Sequence, residues 1–324
     1  MMLEEAADRL FAAHRDSPAL WDELAKAGFD RPLAAGLELS EALSLLFAAG
    51  RHALPAPLAE TILAGWLLAS AGLPQPEGRL TVAPVREGDS VVAKRDGARW
   101  SLLGKASRVP WATGAAAIVV VADGAVVLAS PGDCRITAGT NLAGEPRDDV
   151  EFAGAAAEGA PSPVDAAALR ALGAVMRSAQ IAGALQAALE TSVRYATERA
   201  QFGRPIGRFQ AVQQNLAVLA GQAAAATAAA QAAIEACAHS LDSRTIAAAK
   251  IRTGEAASLG AAIAHQVHGA IGFTQEYPLN RLTRRLWSWR DEFGNESHWA
   301  RVLGGAVAAA GPARLWTDIA GAEA

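Results

Sequence analysis

Apolar and polar positions change rhythm twice along the 324-residue chain. Up to about residue 73 the apolar side chains recur at helical intervals: Leu10, Leu20, Trp21 and Leu24, then Leu37, Leu39, Leu43, Leu46 and Phe47. Pro18, Gly28, Pro32, Pro55 and Pro57 cut this region into short helices. The turn-rich run Leu73-Pro74-Gln75-Pro76-Glu77-Gly78 closes it. From about 79 to 153 the rhythm shortens to that of strands, over 80–85, 90–94, 99–103, 117–122 and 125–129, with Asp96-Gly97 and Asp123-Gly124 as hairpin turns. Residues 153–163 are mostly alanine, glycine and proline and read as a linker. Beyond 164 the pattern predicts helices near 164–200, 209–239, 243–271 and 280–310, rich in alanine, which favours helix and permits close packing. The expected fold is α+β: a helical domain over 1–77, a middle antiparallel β domain over 78–156 and a four-helix bundle over 160–320.

Charge narrows the function. Lys and Arg number 29 against 33 Asp and Glu, a net charge of −4, which argues against a generic nucleic-acid binder. Hydrophobic residues make up 52% of the chain, too many for disorder. Cys134 and Cys237 lie far apart with no Cys-x-x-Cys pattern, so neither a disulfide framework nor a zinc site is expected, and a reducing cytoplasm suits them. The start, Met1-Met2-Leu3-Glu4-Glu5, is acidic and lacks the pattern of a signal peptide. Residues 61–73 are too few to span a bilayer. Residues 209–234 are long enough but carry Gln210, Gln213, Gln214, Asn215, Gln222 and Gln231, and read as a helix buried in a bundle. No membrane span is expected.

Two segments stand out from the alanine background. The first runs Arg194-Tyr195-Ala196-Thr197-Glu198-Arg199-Ala200-Gln201-Phe202-Gly203-Arg204-Pro205-Ile206 and continues to Phe209-Gln210. The second runs Gln266-Val267-His268-Gly269-Ala270-Ile271-Gly272-Phe273-Thr274-Gln275-Glu276-Tyr277-Pro278-Leu279, followed by Arg281 and the Arg284-Arg285 pair. Each joins long helices through a glycine-containing turn and gathers donors there. Arg199 offers a planar fork suited to phosphate oxygens, Gln266 an amide, and Gly269 and Gly272 a backbone that a ligand can approach closely. Such a junction suits a pyrophosphate. Taken singly, Gly203, Pro205 and Gly207 can equally just end a helix, and Arg199 can be a solvated bundle residue.

The two segments together resemble the acyl-CoA dehydrogenase family. Tyr195, Arg199, Phe202, Gly203, Ile206 and Gln210 match the first half of its C-terminal signature, and Gln266, Gly269, Gly272, Phe273, Glu276, Pro278 and Arg281 the second. The likeness is specific over roughly 185–290 and rests on domain order before that. It implies an FAD whose ADP part is held by these residues while the isoalloxazine lies mainly on a neighbouring subunit. Arg199 and Gln201 would reach the pyrophosphate and Phe202 would line the adenine side, with Gly203 and Gln210 beside them. Gln266 with Gly269 and Ala270 would complete the cradle. The implied substrate is an acyl-CoA, which loses its α-proton to a glutamate and its β-hydrogen as hydride to the flavin.

The chain departs from the family where that chemistry happens. In the register of the family's glutamate stands Phe293, within Asp291-Glu292-Phe293-Gly294-Asn295-Glu296, so Glu292 or Glu296 serves as base only if the loop is shifted. The family's alternative base position falls near Gly173 and carries no acid. The flavin-contacting stretches of the β domain are replaced by residues 81–89 and by Gly104-Lys105-Ala106-Ser107-Arg108-Val109-Pro110-Trp111. The segment between Phe29 and Leu43 is also compressed. These losses resemble the short subunit of bacterial steroid-degrading acyl-CoA dehydrogenases, in which unlike subunits, as in an α2β2 assembly, share a flavin. Three readings remain open: that short subunit, a self-sufficient homo-oligomer using Glu292 or Glu296, and a non-catalytic scaffold. Small residues on the bundle helices would admit a bulky, steroid-derived acyl group.

Two further signals carry less. His265 and His268 are three apart on a helix but have no acidic or cysteine partner nearby in sequence, so no metal site is expected. Arg281, Arg284, Arg285 and Arg290 interleave with Trp287 and Trp289, a pattern also found on single-strand nucleic-acid platforms; Asp291 and Glu292 favour a subunit interface instead.

Overall fold

The computed structural model describes residues 2–86, 88–97 and 99–314, so the last part of the span 160–320 and Glu87 of the stretch 81–89 lie outside the described residues. Four helices form the N-terminal layer: α1 (Met2–His14), α2 (Leu20–Lys26), α3 (Leu39–Arg51) and α4 (Leu58–Ser70). α3 starts at a reciprocal cap between Glu38 and Glu41, which satisfies otherwise orphaned backbone donors. α4 is buried on almost all sides, from Leu58 to Leu68, and packs against the first strand of the sheet.

Seven strands follow: β1 (Leu80–Ala83), β2 (Ser90–Asp96), β3 (Arg99–Pro110), β4 (Ala117–Ala122), β5 (Ala125–Ala129), β6 (Arg135–Thr137) and β7 (Arg147–Pro161). They form one sheet in the order β1-β4-β5-β7-β3-β2, with β6 also on β7. All pairings are antiparallel except β1 with β4, which is parallel because the chain crosses over between them. Asp123 and Gly124 both take positive φ and close the β4–β5 hairpin, as their residue types predict. The linker expected over 153–163 is corrected: residues up to Pro161 are the second half of β7, which bonds to both β3 and β5. Alanine and glycine have little strand preference of their own, and it is the two neighbouring ladders that hold this stretch extended.

The C-terminal half is helical. α5 (Ala166–Glu198), α6 (Gln210–Cys237) and α7 (Ser243–His268) are long, and a two-stranded hairpin of β8 (Ala200–Gln201) and β9 (Arg204–Pro205) joins α5 to α6. The helix expected over 280–310 is two helices, α8 (Pro278–Asp291) and α9 (Glu296–Ala310). The break has local causes: Phe293 and Gly294 take positive φ, and Asn295 accepts from the backbone of His298 to cap α9. α6 also corrects an expectation. It is long and apolar enough by composition to cross a membrane, yet only 28% of its most apolar window is buried. Leu219, Ala223, Ala226, Ala230, Ala233 and Cys237 form one buried stripe, and much of the rest of the helix faces outward.

Two devices fix the N-terminal layer and the sheet to the bundle. α3 and α5 cross with their backbones touching: a Cβ on Gly50 would lie 2.0 Å from the Gln180 carbonyl oxygen, and one on Gly183 would lie 1.9 Å from that of Phe47. Only hydrogen fits at either position. The second device is ionic. Glu60 on α4 pairs with Arg177 on α5, and Arg177 donates from Nε to Glu292 at 2.8 Å. Glu292 also binds Arg147 of β7 at 2.7 and 3.0 Å, and Arg147 reaches Glu145 at 3.1 Å. Glu145 in turn accepts from Arg285 at 3.1 Å and from Trp289 at 3.0 Å, both on α8. Three acids and three arginines thus run through the centre of the molecule and join its three layers.

Candidate functional site

The first candidate place is the end of the bundle where α5 turns into α6 and α7 ends. Its two sequence segments meet through aromatic rings: Tyr195 stacks on His268 with ring centroids 4.5 Å apart, and Tyr277 sits edge-on to Tyr195 at 6.1 Å. The hairpin after α5 is closed by Phe202 and Gly203, both at positive φ, so the Phe202 ring stands out into solvent at 89% exposure. Its ring meets Phe209 edge-on, and the Arg204 guanidinium lies 4.3 Å over the Phe209 ring. Arg199 ends α5, its backbone bonded to Tyr195 and Ile206 and its side chain exposed. Gln201, Gly203, Gln210, Gln266, Gly269 and Ala270 are exposed as well.

Gly269 closes α7 at φ +63 with nothing within 4 Å of where a Cβ would be, so the backbone there is open to a ligand. His268 donates from Nδ1 to the Ala264 carbonyl at 2.8 Å, which places its proton on Nδ1. Its buried Nε2 then presents a lone pair without a partner among the described residues. Burial pushes the pKa of His265 and His268 down and keeps both rings neutral near pH 7. His265 is sandwiched between Phe273, at 4.1 Å, and Trp287, at 5.4 Å, and bonds Thr283 at 2.9 Å. Each histidine thus has one ring nitrogen engaged and the other, Nδ1 of His265 and Nε2 of His268, buried without a partner among the described residues.

The second candidate place lies between the sheet and the bundle, a cavity of about 780 Å³. Three segments converge on it: Val85 and Arg86 after β1, Arg108 and Pro110 at the end of β3, and residues 291–295 between α8 and α9. They are the stretches in which the sequence departs from the acyl-CoA dehydrogenase pattern. Phe293 and Gly173, the two positions at which a base was sought, are brought together. A Cβ on Gly173 would lie 2.2 Å from the Phe293 ring, which therefore fills that space.

The structure corrects the expectation for Glu292. Its carboxylate forms part of the floor, gripped by Arg147 and Arg177, with Asn141 donating at 3.2 Å. Burial alone would raise its pKa, but the two guanidiniums outweigh burial and hold it down at about 2. A general base for a carbon acid needs the opposite shift and a free lone pair. Glu296 opens elsewhere, onto a separate cavity of about 710 Å³ beside Gln222 and Arg252, and sits 3.4 Å from Arg290. The two glutamates therefore serve different surfaces.

The ionic network was missed in the sequence because its members are far apart along the chain. One signal was available: Arg177 is the single charge in an otherwise uncharged stretch of α5 from Leu172 to Leu185, where a charge needs buried partners.

Residues 167–296 match the family described as "Acyl-CoA dehydrogenase, C-terminal domain". Over this span the chain is similar to acyl-CoA dehydrogenase C-terminal domains. Acyl-CoA dehydrogenase IpdE2 of Mycobacterium tuberculosis is 38% identical over 112 residues, 35% of this chain and 34% of that protein. The chain aligns with only about a third of the length of the first curated relatives that it matches. Solved acyl-CoA dehydrogenase structures extend the likeness to the whole fold. A structure titled "Tcur3481-Tcur3483 steroid ACAD G363A variant" is 27% identical with a TM-score of 0.84, covering 95% of this chain and 97% of that one. The ChsE4-ChsE5 complex from Mycobacterium tuberculosis is 26% identical with a TM-score of 0.83, covering 95% and 96%. The helical, β and helical layers are thus those of acyl-CoA dehydrogenases, and the cradle residues fall inside the matched domain.

Proposed function

We propose that this chain is the short subunit of a heteromeric FAD-dependent acyl-CoA dehydrogenase, lending the ADP-binding end of the flavin site to a homologous partner. The observation that carries the reading is the contrast between its two candidate places. The cradle around Arg199, Gln266 and Gly269 has exposed donors, an open backbone and an unpartnered buried nitrogen, and fits the phosphate and adenine half of an FAD. The cavity at Phe293 does not fit a flavin ring with a base beside it, because an aromatic ring fills the base position and arginines neutralise Glu292. The two places are separated along α5, between Gly173 and Glu198, by roughly 38 Å at 1.5 Å per residue. One dinucleotide does not reach from one to the other within a single chain, so a second subunit is needed to complete the site.

Bound in that way, FAD supplies the hydride acceptor for α,β-dehydrogenation of an acyl-CoA thioester. This chain's own part is to bind and orient: Arg199 and Gln201 toward the pyrophosphate, Phe202 against the adenine, and Gln266, Gly269 and Ala270 along the backbone side. The outward face of α6 supplies apolar surface for the association. A steroid-derived acyl group as substrate is supported by the likeness to the Tcur3481-Tcur3483 steroid ACAD variant. A cytoplasmic setting is supported by the free thiols of Cys134 and Cys237.

Purification of the chain alone and with a co-encoded homologue tests the proposal. Flavin absorbance and acyl-CoA oxidation only after co-expression are the expected result. Flavin and turnover from this chain alone would sink it, and colourless, inactive protein under both conditions would leave a scaffold role.

A further inference from the structure

The hairpin between α5 and α6 carries an arginine that the cradle around Arg199 does not yet use. β8 and β9 pair antiparallel with Gln201 opposite Arg204, and the ladder reaches back to Arg199, whose carbonyl accepts from the Ile206 N–H at 2.8 Å. Residues two apart on a strand put their side chains on one face, and so do residues directly opposite each other on paired strands. Arg199, Gln201 and Arg204 therefore share a face of the hairpin. Phe202 and Gly203, both at positive φ, form the two-residue turn that fixes this register.

The Arg204 side chain is held in place without being neutralised. Its guanidinium lies 4.3 Å over the Phe209 ring, which Phe202 meets edge-on at 6.1 Å. Neither Arg204 nor Arg199 has an ion pair or a side-chain hydrogen bond among the described residues. A guanidinium resting on an aromatic face keeps its planar fork of N–H donors free for phosphate oxygens. A long side chain on an exposed hairpin otherwise samples many rotamers, and ordering it on binding costs affinity. The Phe209 ring removes part of that cost before a ligand arrives. Charge points the same way: the diphosphate bridge of a dinucleotide carries two negative charges, and Arg199 answers one. Glu198, next to Arg199 in the chain and exposed, works against an anion, so a second cation on this face offsets it. We infer that Arg204 is a second diphosphate-binding residue of the cradle, positioned by Phe209, and that Arg199, Gln201 and Arg204 grip the bridge between the two halves of the FAD. The inference rests on the proposal that the chain lends this end of the flavin site, and it adds to that proposal the group that touches the second phosphate and the ring that holds it ready.

The test uses the chain co-purified with its homologous partner, stripped of flavin and titrated with FAD, with ADP and adenosine as competitors. Arg204→Ala should weaken FAD binding about tenfold, the scale of one charge-assisted hydrogen-bonded group, and reduce its sensitivity to salt. The melting temperature of the flavin-free complex should not change. ADP should lose its advantage over adenosine by a similar factor, whereas adenosine, which has no phosphate, should compete as before. Arg204→Lys keeps the charge without the planar fork and should recover only part of the loss. Phe209→Leu should weaken FAD binding by a smaller factor and have no further effect in the Arg204→Ala background; additive losses would refute Phe209 as the positioning residue. Unchanged FAD affinity in folded Arg204→Ala, or equal losses for ADP and adenosine, overturns the inference. Arg199→Ala, run in parallel, separates this outcome from failure of the shared site: weaker FAD binding there with none in Arg204→Ala refutes Arg204 alone. Indifference of FAD binding to both arginines, or a complex that takes up no FAD, refutes the shared site and the role of Arg204 with it. FAD bound by this chain without a partner refutes only the heteromeric reading, and the Arg204 comparisons are then made on that protein.

Discussion

The two ends of α5 face opposite situations. Near Gly173 every strong charge on the floor is answered from within the chain: Glu292 by two arginines, Arg147 by two glutamates, Arg177 by Glu60 and Glu292. Near Arg199 the polar groups and rings are left open, with Phe202 and Phe273 at 89% and 62% exposure. A closed network holds a fold together, whereas an open set of donors and aromatic surfaces awaits something else. On the proposed function, the difference separates what holds the chain together from what it would offer to another molecule.

The sharpest way to break this contrast is inside the network. Arg177→Ala removes a buried cation and strands Glu60 and part of Glu292, so a loss of about 3–5 kcal/mol in stability is expected, read by denaturant unfolding. If Arg177 instead served the flavin site, unfolding would be unchanged and only cofactor binding would suffer. Acid probes the same place. The pKa of Glu292 is held down to about 2 in the folded chain, so its contribution is fully present above its unfolded value near 4.5. That contribution, on the order of 3 kcal/mol, should be lost as pH falls from about 4.5 to about 2. In Glu292→Gln this part of the acid transition should disappear; an unaltered pH profile would show that the ion pairs contribute nothing.

The open end should respond in the opposite currency. Arg199→Ala is expected to leave unfolding unchanged while lowering FAD retention by the complex about tenfold to a hundredfold, the scale of one charge-assisted hydrogen-bonded group. Phe202→Ala should change the stability of the chain by less than about 0.5 kcal/mol, because the ring is exposed. A loss of adenine-side binding with no loss of fold would sharpen the contrast; a clear drop in melting temperature would blur it. Smallest of all is Glu296→Gln, for which turnover of the complex should not move. A large fall in kcat there would restore Glu296 as a base.

How much of this was legible in the chain depended on distance along it. The 117–122 and 125–129 strands were readable to the residue because Asp123-Gly124 carries its own turn geometry. The turns after α5 and α7 were readable because Gly203 and Gly269 take the positive φ that their residue type favours. The strand over 153–161 was not, since its alanines are held extended only by β3 and β5. The break in the last predicted helix had a legible cause in Gly294-Asn295, but the apolar and charged pattern on either side masked it. Glu292 was the hardest to assign, because its partners lie 115 and 145 positions away and nothing nearby in sequence announces them.

The glycine contact between α3 and α5 has a consequence for motion. Where two helices meet backbone to backbone, there are no side chains to slide or re-pack, and the joint works like a welded seam. With the ionic core fixing the third layer, the chain has little freedom to bend around a ligand by shearing its own helices. Any closing over a bound molecule would then have to come from side chains, from the short loops around Phe293 and Gly269, or from the approach of a second subunit.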